Sequence, residues 1–232
     1  MTDYKKEAAK AAKEFIKPNQ AIGLGAGSSI AFLVEAIATD AALAGTLTLA
    51  SSSAKTITLI KEAGLKLKGS TDVKHLDIYF DGCDQFDAQL NAMKSGAGIH
   101  TAEKVMASMA DEFVLVGDAS KYVPVLDNTY PLVIEVLPIA LQLVQQRVAQ
   151  YFPGSKTTIR TNTQNEFIIT ANGNLLLDVY FAQLPVLSEL NSVKMLPGVV
   201  EHSLFLEVAT KAIIADAEGV SVLNAEQNHN SK

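Results

Sequence analysis

Tyr4, Ala8, Ala11, Ala12, Phe15 and Ile16 recur at helical spacing, with Lys5, Lys6, Lys10 and Lys13 around the rest of the surface. The chain therefore opens on an amphipathic helix, which Pro18 and Asn19 end. The apolar run Ala21 to Leu24 predicts a strand, "GAGSS" a loop, and the following stretch a helix reaching about Ala38. The same plan returns: "TLTLA" reads as a strand, "SSS" as a loop and "AKTITLIKEAG" as a helix closed by Gly64. "DIYFDG" and "FVLVGDASK" supply a third and a fourth strand, with a helix from about Thr101 to Ala110 between them. Strands alternating with helices predict an α/β domain with a parallel, Rossmann-like sheet, whose polar loops gather at the strand carboxyl ends.

The rhythm changes after "VPVLDNTYP". Leu132 to Val136 is strand-like, Ile139 to Tyr151 helical, and "YFPGS" a break. "EFIITANGNLLLDVYF" reads as a hairpin with Asn172-Gly173 as a type I′ turn, and Val186 to Met195 as a further helix. These elements predict a second, smaller α+β domain of ferredoxin-like kind over residues 130–200. Residues 1–129 and 201–232 would form the main domain, with "SLFLE", "KAIIAD" and "GVSVL" as returning strands and "NAEQNHNSK" as a frayed tail.

Composition narrows the classes. Of 232 residues 48% are hydrophobic, enough for a sizeable core, and the formal charge of −6 argues against a nucleic-acid face. A single cysteine, Cys83, makes neither a disulfide nor a cysteine-based zinc site within the chain. "MTDYKKEAAKAAKEF" lacks the apolar core of a signal peptide, and "AIGLGAGSSIAFLVEAIA" is too broken to span a membrane. A soluble, cytoplasmic protein is expected.

The loop "GLGAGSS" is not a dinucleotide fingerprint. Gly23, Gly25 and Gly27 are spaced G-x-G-x-G, Ser28 stands where the third glycine would, and the second strand ends in Ser51 rather than an acid. A strand, a small-residue loop and a helix start still suit an anion, with Ser28 and Ser29 as added donors. Ser51, Ser52 and Ser53 would add more if the strands are neighbours. Taken singly, each serine run fits a helix cap better than a ligand site; two such loops at one sheet edge fit a phosphate or polyol equally well.

"DGCDQFDAQLNAMKSGAGIHTAEK", residues 81–104, concentrates the ionisable groups. Asp81 and Asp84 can face one cleft, although D-G is also a common turn and Asp84 a possible cap. Asp87 extends a D-x-x-D-x-x-D spacing that matches no cation loop, so no metal is expected. Lys94 could neutralise an oxyanion or lie solvated in its glycine turn. Glu103 lies in the first turn of a helix, whose dipole would keep it ionised as a base requires. Cys83 reads as a small buried residue and His100 as a helix-start residue; His75, His202 and His229 show no motif.

"IGLGAGSS", "ASSSAKT", "DIYFDGCD", "KSGAGIHTAEK" and "GDASK", followed by "NGNLLLDV" and "LPGVVEHSLF", resemble the ribose-5-phosphate isomerase A family in order and spacing. The resemblance runs from the first helix to about Leu223. It implies cofactor-free interconversion of D-ribose 5-phosphate and D-ribulose 5-phosphate through a cis-enediol, in a homodimer or homotetramer with the small domain at the interface. It casts Glu103 as the base, Asp81 as the ring-opening acid, and Asp84 and Lys94 as partners of the substrate oxygens. Lys5, Lys121, Gly96 and the loop of Gly25, Ala26, Gly27, Ser28 and Ser29 would contact the substrate and its phosphate. The chain departs from the family pattern at Ala26 (threonine), Gln85 (glutamate), Ala102 (arginine) and Ser95-Gly96-Ala97 (three glycines). These changes leave open an isomerase of a related sugar phosphate or a sugar-phosphate sensor.

Overall fold

The computed structural model of the protein describes residues 2–225. Its first half contains helix α1 (Tyr4–Lys13), strand β1 (Ala21–Leu24), α2 (Ser28–Ala38), the short α3 (Ala41–Ala44), β2 (Thr48–Ala50), α4 (Ala54–Glu62) and β3 (Leu76–Asp81). Two short strands, β4 (Gln85–Phe86) and β5 (Ala92–Met93), lead to α5 (His100–Ser108) and β6 (Ala110–Asp118). The second half contains β7 (Leu132–Val136), α6 (Leu141–Tyr151), β8 (Lys156–Ile159), β9 (Leu175–Tyr180), α7 (Leu187–Ser192), β10 (Val199–His202), β11 (Leu204–Phe205), β12 (Lys211–Asp216) and β13 (Gly219–Asn224).

The main sheet has the order β13-β12-β6-β3-β1-β2, parallel throughout except for the antiparallel edge strand β13. Its connections reverse at β1, which lies between β2 and β3. The crevice beyond the carboxyl ends of β1 and β3 is thus a topological switch point, where open α/β sheets bind ligands.

Alternation along the strands decides which side chain meets which layer. Ile78 and Phe80 of β3 and Val114 and Val116 of β6 enter the core under α1, α2 and α4. Tyr79, Phe113 and Leu115 point to the other face, where Met106 and Ala107 of α5, Phe86 of β4 and Phe205 of β11 cover them. Asp81 follows Tyr79 by two residues and so faces α5.

The second unit runs β7-α6-β8-β9-α7-β10, and its antiparallel sheet has the order β10-β7-β9-β8. That is the split βαβ, ferredoxin-like arrangement. Its last strand runs past residue 200 to His202, and the chain rejoins the main sheet at Lys211. A third, antiparallel sheet, β11-β5-β4, lies between the two units and frames the loop that carries Lys94.

The hairpin expected over 166–181 differs from the one formed. Gly173 N–H donates to Thr170 O, and Gly173 (φ 81°) is its left-handed residue, so Ala171 and Asn172 are the central pair rather than Asn172 and Gly173. Only isolated bridges join its first arm, whose Phe167 and Ile169 are exposed. β9 pairs instead with β7 and β8. Of the expected tail, Asn224 ends β13 and the Ala225 N–H bonds Thr210 O. Residues 226–232, His229 among them, lie outside the described residues.

Glu135 on β7 ties this hairpin to the main unit. Its buried carboxylate accepts from the hydroxyls of Thr101 and Thr170 and from the amides of Asn172 and Asn174. Burial opposes the charge, but these four donors outweigh it and hold the carboxyl below its ordinary value. Glu135→Ala leaves the donors without their acceptor and is expected to cost about 3 kcal/mol. A thermal melt should fall by roughly 6–12 °C for a chain of this size.

Candidate active site

Asp81 ends β3 with no exposure to solvent. Its Oδ1 accepts from the N–H groups of Ala26 (2.9 Å) and Gly82 (2.8 Å), and its Oδ2 from the Tyr79 hydroxyl (2.6 Å). Lys94 Nζ lies 2.8 Å from the same Oδ2, donates to Gly82 O, and stands 3.4 Å from Glu103 Oε2. Burial and the charge of Asp81 push the Tyr79 phenol well up, so it remains a donor. Gly25 admits this arrangement: a Cβ there would fall 1.9 Å from the Asp81 carboxyl carbon.

Two buried carboxyl groups therefore share one ammonium. Burial works against the Lys94 charge, but Asp81 and Glu103 outweigh it and raise its pKa above the ordinary value. Burial, reinforced by Asp81 and opposed by Lys94, pushes the Glu103 carboxyl up to about 8. The dipole of α5 alone would keep Glu103 ionised. Glu103 does occupy the first turn of α5, but desolvation beside a second carboxylate outweighs the dipole.

Lys94 and Glu103 face a cavity of about 230 Å³, also lined by Asp84, Gly96, Ala97, Ala26, Gly27, Ser28, Ser29, Lys5 and Lys121. Asp84 is held by the N–H groups of Ser95 (2.6 Å) and Gly96 (2.9 Å), both donating to its Oδ2. The opposite wall is the start of α2. Gly27 is its N-cap at φ 99°, and no side chain caps the helix, so Ser28 and Ser29 are its first residues and not its caps. Lys121 follows β6 in a 3₁₀ turn, and Lys5 reaches over from α1 to lie 3.9 Å from Asp118. An uncapped helix start beside two ammonium groups suits a phosphate dianion.

Several expected contacts lie elsewhere. Ser51 and Ser52 do not line this cavity: Ser51 Oγ accepts from Ser53 N–H, and Ser53 caps α4 through Thr56 N–H. In this loop the capping alternative holds, and Ser52 Oγ is buried. Gly25 and Asp81 do not line the cavity, and the Asp81 carboxylate is saturated by its four donors. Asp87 secures its own loop by accepting from Gln89 and Asn91, and Gln85 pairs with Asp127. Ser95, in the family's glycine run, turns away to donate to Pro131 O.

Sequence reasoning missed Tyr79 and Asp118. Strand alternation carried the first, since residues 79 and 81 share a face. The second stands in "GDASK" three residues before Lys121 and lines the cavity. Cys83, expected to be buried, is half-buried and on the cavity wall, its thiol pushed up to about 12 by burial. His75, Asp77 and Asp111 meet at the amino end of the sheet, away from the cavity.

A family model described as ribose 5-phosphate isomerase A (phosphoriboisomerase A) matches residues 48–219. The ribose-5-phosphate isomerase A of Parvibaculum lavamentivorans is 31% identical over 228 residues, which cover 96% of this chain and 98% of the relative. The chain belongs to the ribose 5-phosphate isomerase A family. The Thermosynechococcus vestitus member is 34% identical over 217 residues, 91% of each chain. Among solved structures, ribose 5-phosphate isomerase A from Methanocaldococcus jannaschii superposes with a TM-score of 0.87 at 30% identity, over 95% of this chain and 97% of that one. A D-ribose-5-phosphate isomerase in complex with phospho-erythronic acid gives 0.88 at 28% identity, over 97% of this chain and 100% of that one.

The two glycines beside the aspartates should respond differently. Gly25→Ala meets a carboxyl fixed on all sides and is expected to cost about 3 kcal/mol, read as a lower unfolding midpoint. A Cβ on Gly96 would approach Asp84 Oδ1 at 3.3 Å, so Gly96→Ala should fold normally and lose turnover instead.

Proposed function

We propose that the chain interconverts D-ribose 5-phosphate and D-ribulose 5-phosphate through a cis-enediolate, with Glu103 carrying the proton between C2 and C1. The observation that carries this reading is the buried Glu103 carboxyl set 3.4 Å from the buried Lys94 ammonium on one cavity wall, where burial raises its pKa to about 8. A carboxyl poised near working pH can both take and return a proton. Lys94 turns from Glu103 towards the substrate oxygens and stabilises the enediolate charge, work that needs no metal ion. Asp84, on the wall, handles the ring oxygen and a hydroxyl. Asp81 is the positioning group that keeps Lys94 charged, rather than the ring-opening acid that the resemblance implies. Ser28, Ser29, the α2 amides, Lys5 and Lys121 anchor the phosphate, so the reacting carbons reach Glu103 already oriented. A relative holding phospho-erythronic acid supports a phosphorylated sugar chain as the ligand class.

The working form belongs in the cytoplasm, where charged phosphate esters are retained; no described helix is long and apolar enough to cross a membrane. It is a homodimer or homotetramer, supported by the exposed Leu137, Ile139, Val186, Met195 and Val200 on the small unit. Sedimentation velocity checks this.

The test is conversion of ribose 5-phosphate beside Glu103→Gln, which should lower kcat by about 10²–10⁴-fold while substrate still binds. Near-normal turnover in that variant would remove Glu103 as the base. Binding without conversion by the wild type would mark a sensor, and EDTA should leave turnover unchanged. Because the base acts ionised, kcat/KM should rise with pH through an apparent pKa near 8.

The same value sets a stability window. Between about pH 4.5 and 8 the folded chain keeps a proton that an unfolded Glu103 releases, so this group subtracts stability as pH rises. Glu103→Gln should flatten that part of the pH–stability curve, as urea unfolding at several pH values would reveal.

A further inference from the structure

Arg160 stands outside the cavity, yet it reaches the loop that forms one of its walls. It follows β8, and its backbone is fixed on both sides: its N–H donates to Leu176 O, and its carbonyl accepts from Ile168 N–H. Its guanidinium is held by Asp178 of β9, with Nε 3.1 Å from Oδ2 and Nη2 2.7 Å from Oδ1. That fork leaves Nη1 pointing away from the sheet, and Nη1 donates to Gly96 O at 3.1 Å. The N–H of the same Gly96 donates to Asp84. One residue thus has its carbonyl on the small unit and its N–H on a cavity carboxylate.

The loop is pressed from the same side two residues on. Gly98 is left-handed (φ 69°), and a Cβ there would meet Leu176 Cδ1 at 2.4 Å and Arg160 Nη1 at 3.5 Å. Beyond the loop the segment has separate anchors. Thr101 bonds Glu135, while Lys104 Nζ donates to Glu201 Oε1 and to the carbonyls of His202 and Leu204. At the near end Lys94 N–H bonds Ser203 O. Between these anchors the Ser95 hydroxyl bonds Pro131 O just before β7, Leu176 packs on Gly98, and Arg160 gives the Gly96 carbonyl its hydrogen bond from the small sheet.

We infer that Arg160 is a positioning residue of the reaction: held by Asp178, it fixes the Gly96 peptide and thereby aims Asp84 at the substrate. This rests on the isomerase reading for its kinetic consequence, but the clamp itself is independent of what the cavity binds. The guanidinium is suited to the task because its planar fork can serve a carboxylate and a carbonyl together, whereas an ammonium is a point charge without that shape.

The experiment compares the wild type with Arg160→Ala, Arg160→Lys and the double variant Arg160→Leu/Asp178→Leu, which leaves no unpaired buried carboxylate if the single variant folds poorly. Amide hydrogen exchange is read over the whole chain. The inference expects residues 95–99 to exchange at least about tenfold faster in the folded variants, with α5 and the main sheet unchanged. Unchanged exchange in that loop overturns it. Kinetics are read on ribose 5-phosphate in parallel. kcat should fall by about 10- to 100-fold, the scale of an ångström-sized misplacement, while KM stays within about threefold. Guanidinium ion should restore part of the kcat of Arg160→Ala, and Arg160→Lys should restore little. A raised KM with unchanged kcat would make Arg160 a substrate contact and overturn the positioning role. If the wild type does not convert ribose 5-phosphate, the isomerase reading falls, and the exchange result alone decides the clamp.

Discussion

The ammonium of Lys94, buried between Asp81 and Glu103, is the interaction on which the site depends. Two carboxylates and one ammonium cannot all be charged in a dry site without leaving one negative charge unbalanced. The protein settles the imbalance unequally. Asp81 receives two backbone N–H groups, a phenol and the ammonium, and so takes the charge. Glu103 has the longer contact to Lys94, stands beside the Asp81 carboxylate, and is left holding the movable proton. The asymmetry of hydrogen bonding, rather than the two residue types, separates a fixed anion from a base.

That arrangement requires the fold to deliver four pieces of chain to one point. The switch point between β1 and β3 opens the crevice, and the loop after β1 closes on Asp81 because Gly25 has no Cβ. The β4–β5–β11 sheet carries Lys94 across the carboxyl end of β3, and α5 brings Glu103 down onto the same face as Tyr79. The small antiparallel unit has no side chain on the cavity wall, but it holds the connecting segment through Glu135, Glu201 and Arg160. Its part in the chemistry is exerted through backbone geometry.

Much of this was legible in the chain. Apolar runs ending in small or acidic residues marked β1, β2, β3 and β6 to within about three residues, since both faces of a parallel sheet are covered and its strands run largely apolar. The ordered motifs also picked out Lys94, Glu103 and the α2 start. What stayed hidden depends on contacts between distant segments. "SSS" and "GSS" look equivalent, yet Ser53 caps its helix while the glycine loop leaves α2 uncapped towards the cavity. Asp81 and Asp84 look like a pair, yet one is sealed behind Lys94 and the other faces the cavity. β8 is polar and half-exposed, so its apolar signal is too weak to mark a strand. Nor can charge counting anticipate a glutamate near pKa 8, because that value arises from burial.

The most direct measurement is an infrared titration of the Glu103 carboxyl, taken as the difference between ¹³C-glutamate-labelled wild type and Glu103→Gln. The account predicts a protonated carboxyl band at neutral pH that disappears with a midpoint near 8. A carboxylate already ionised at neutral pH, titrating near the ordinary 4.5, would contradict it.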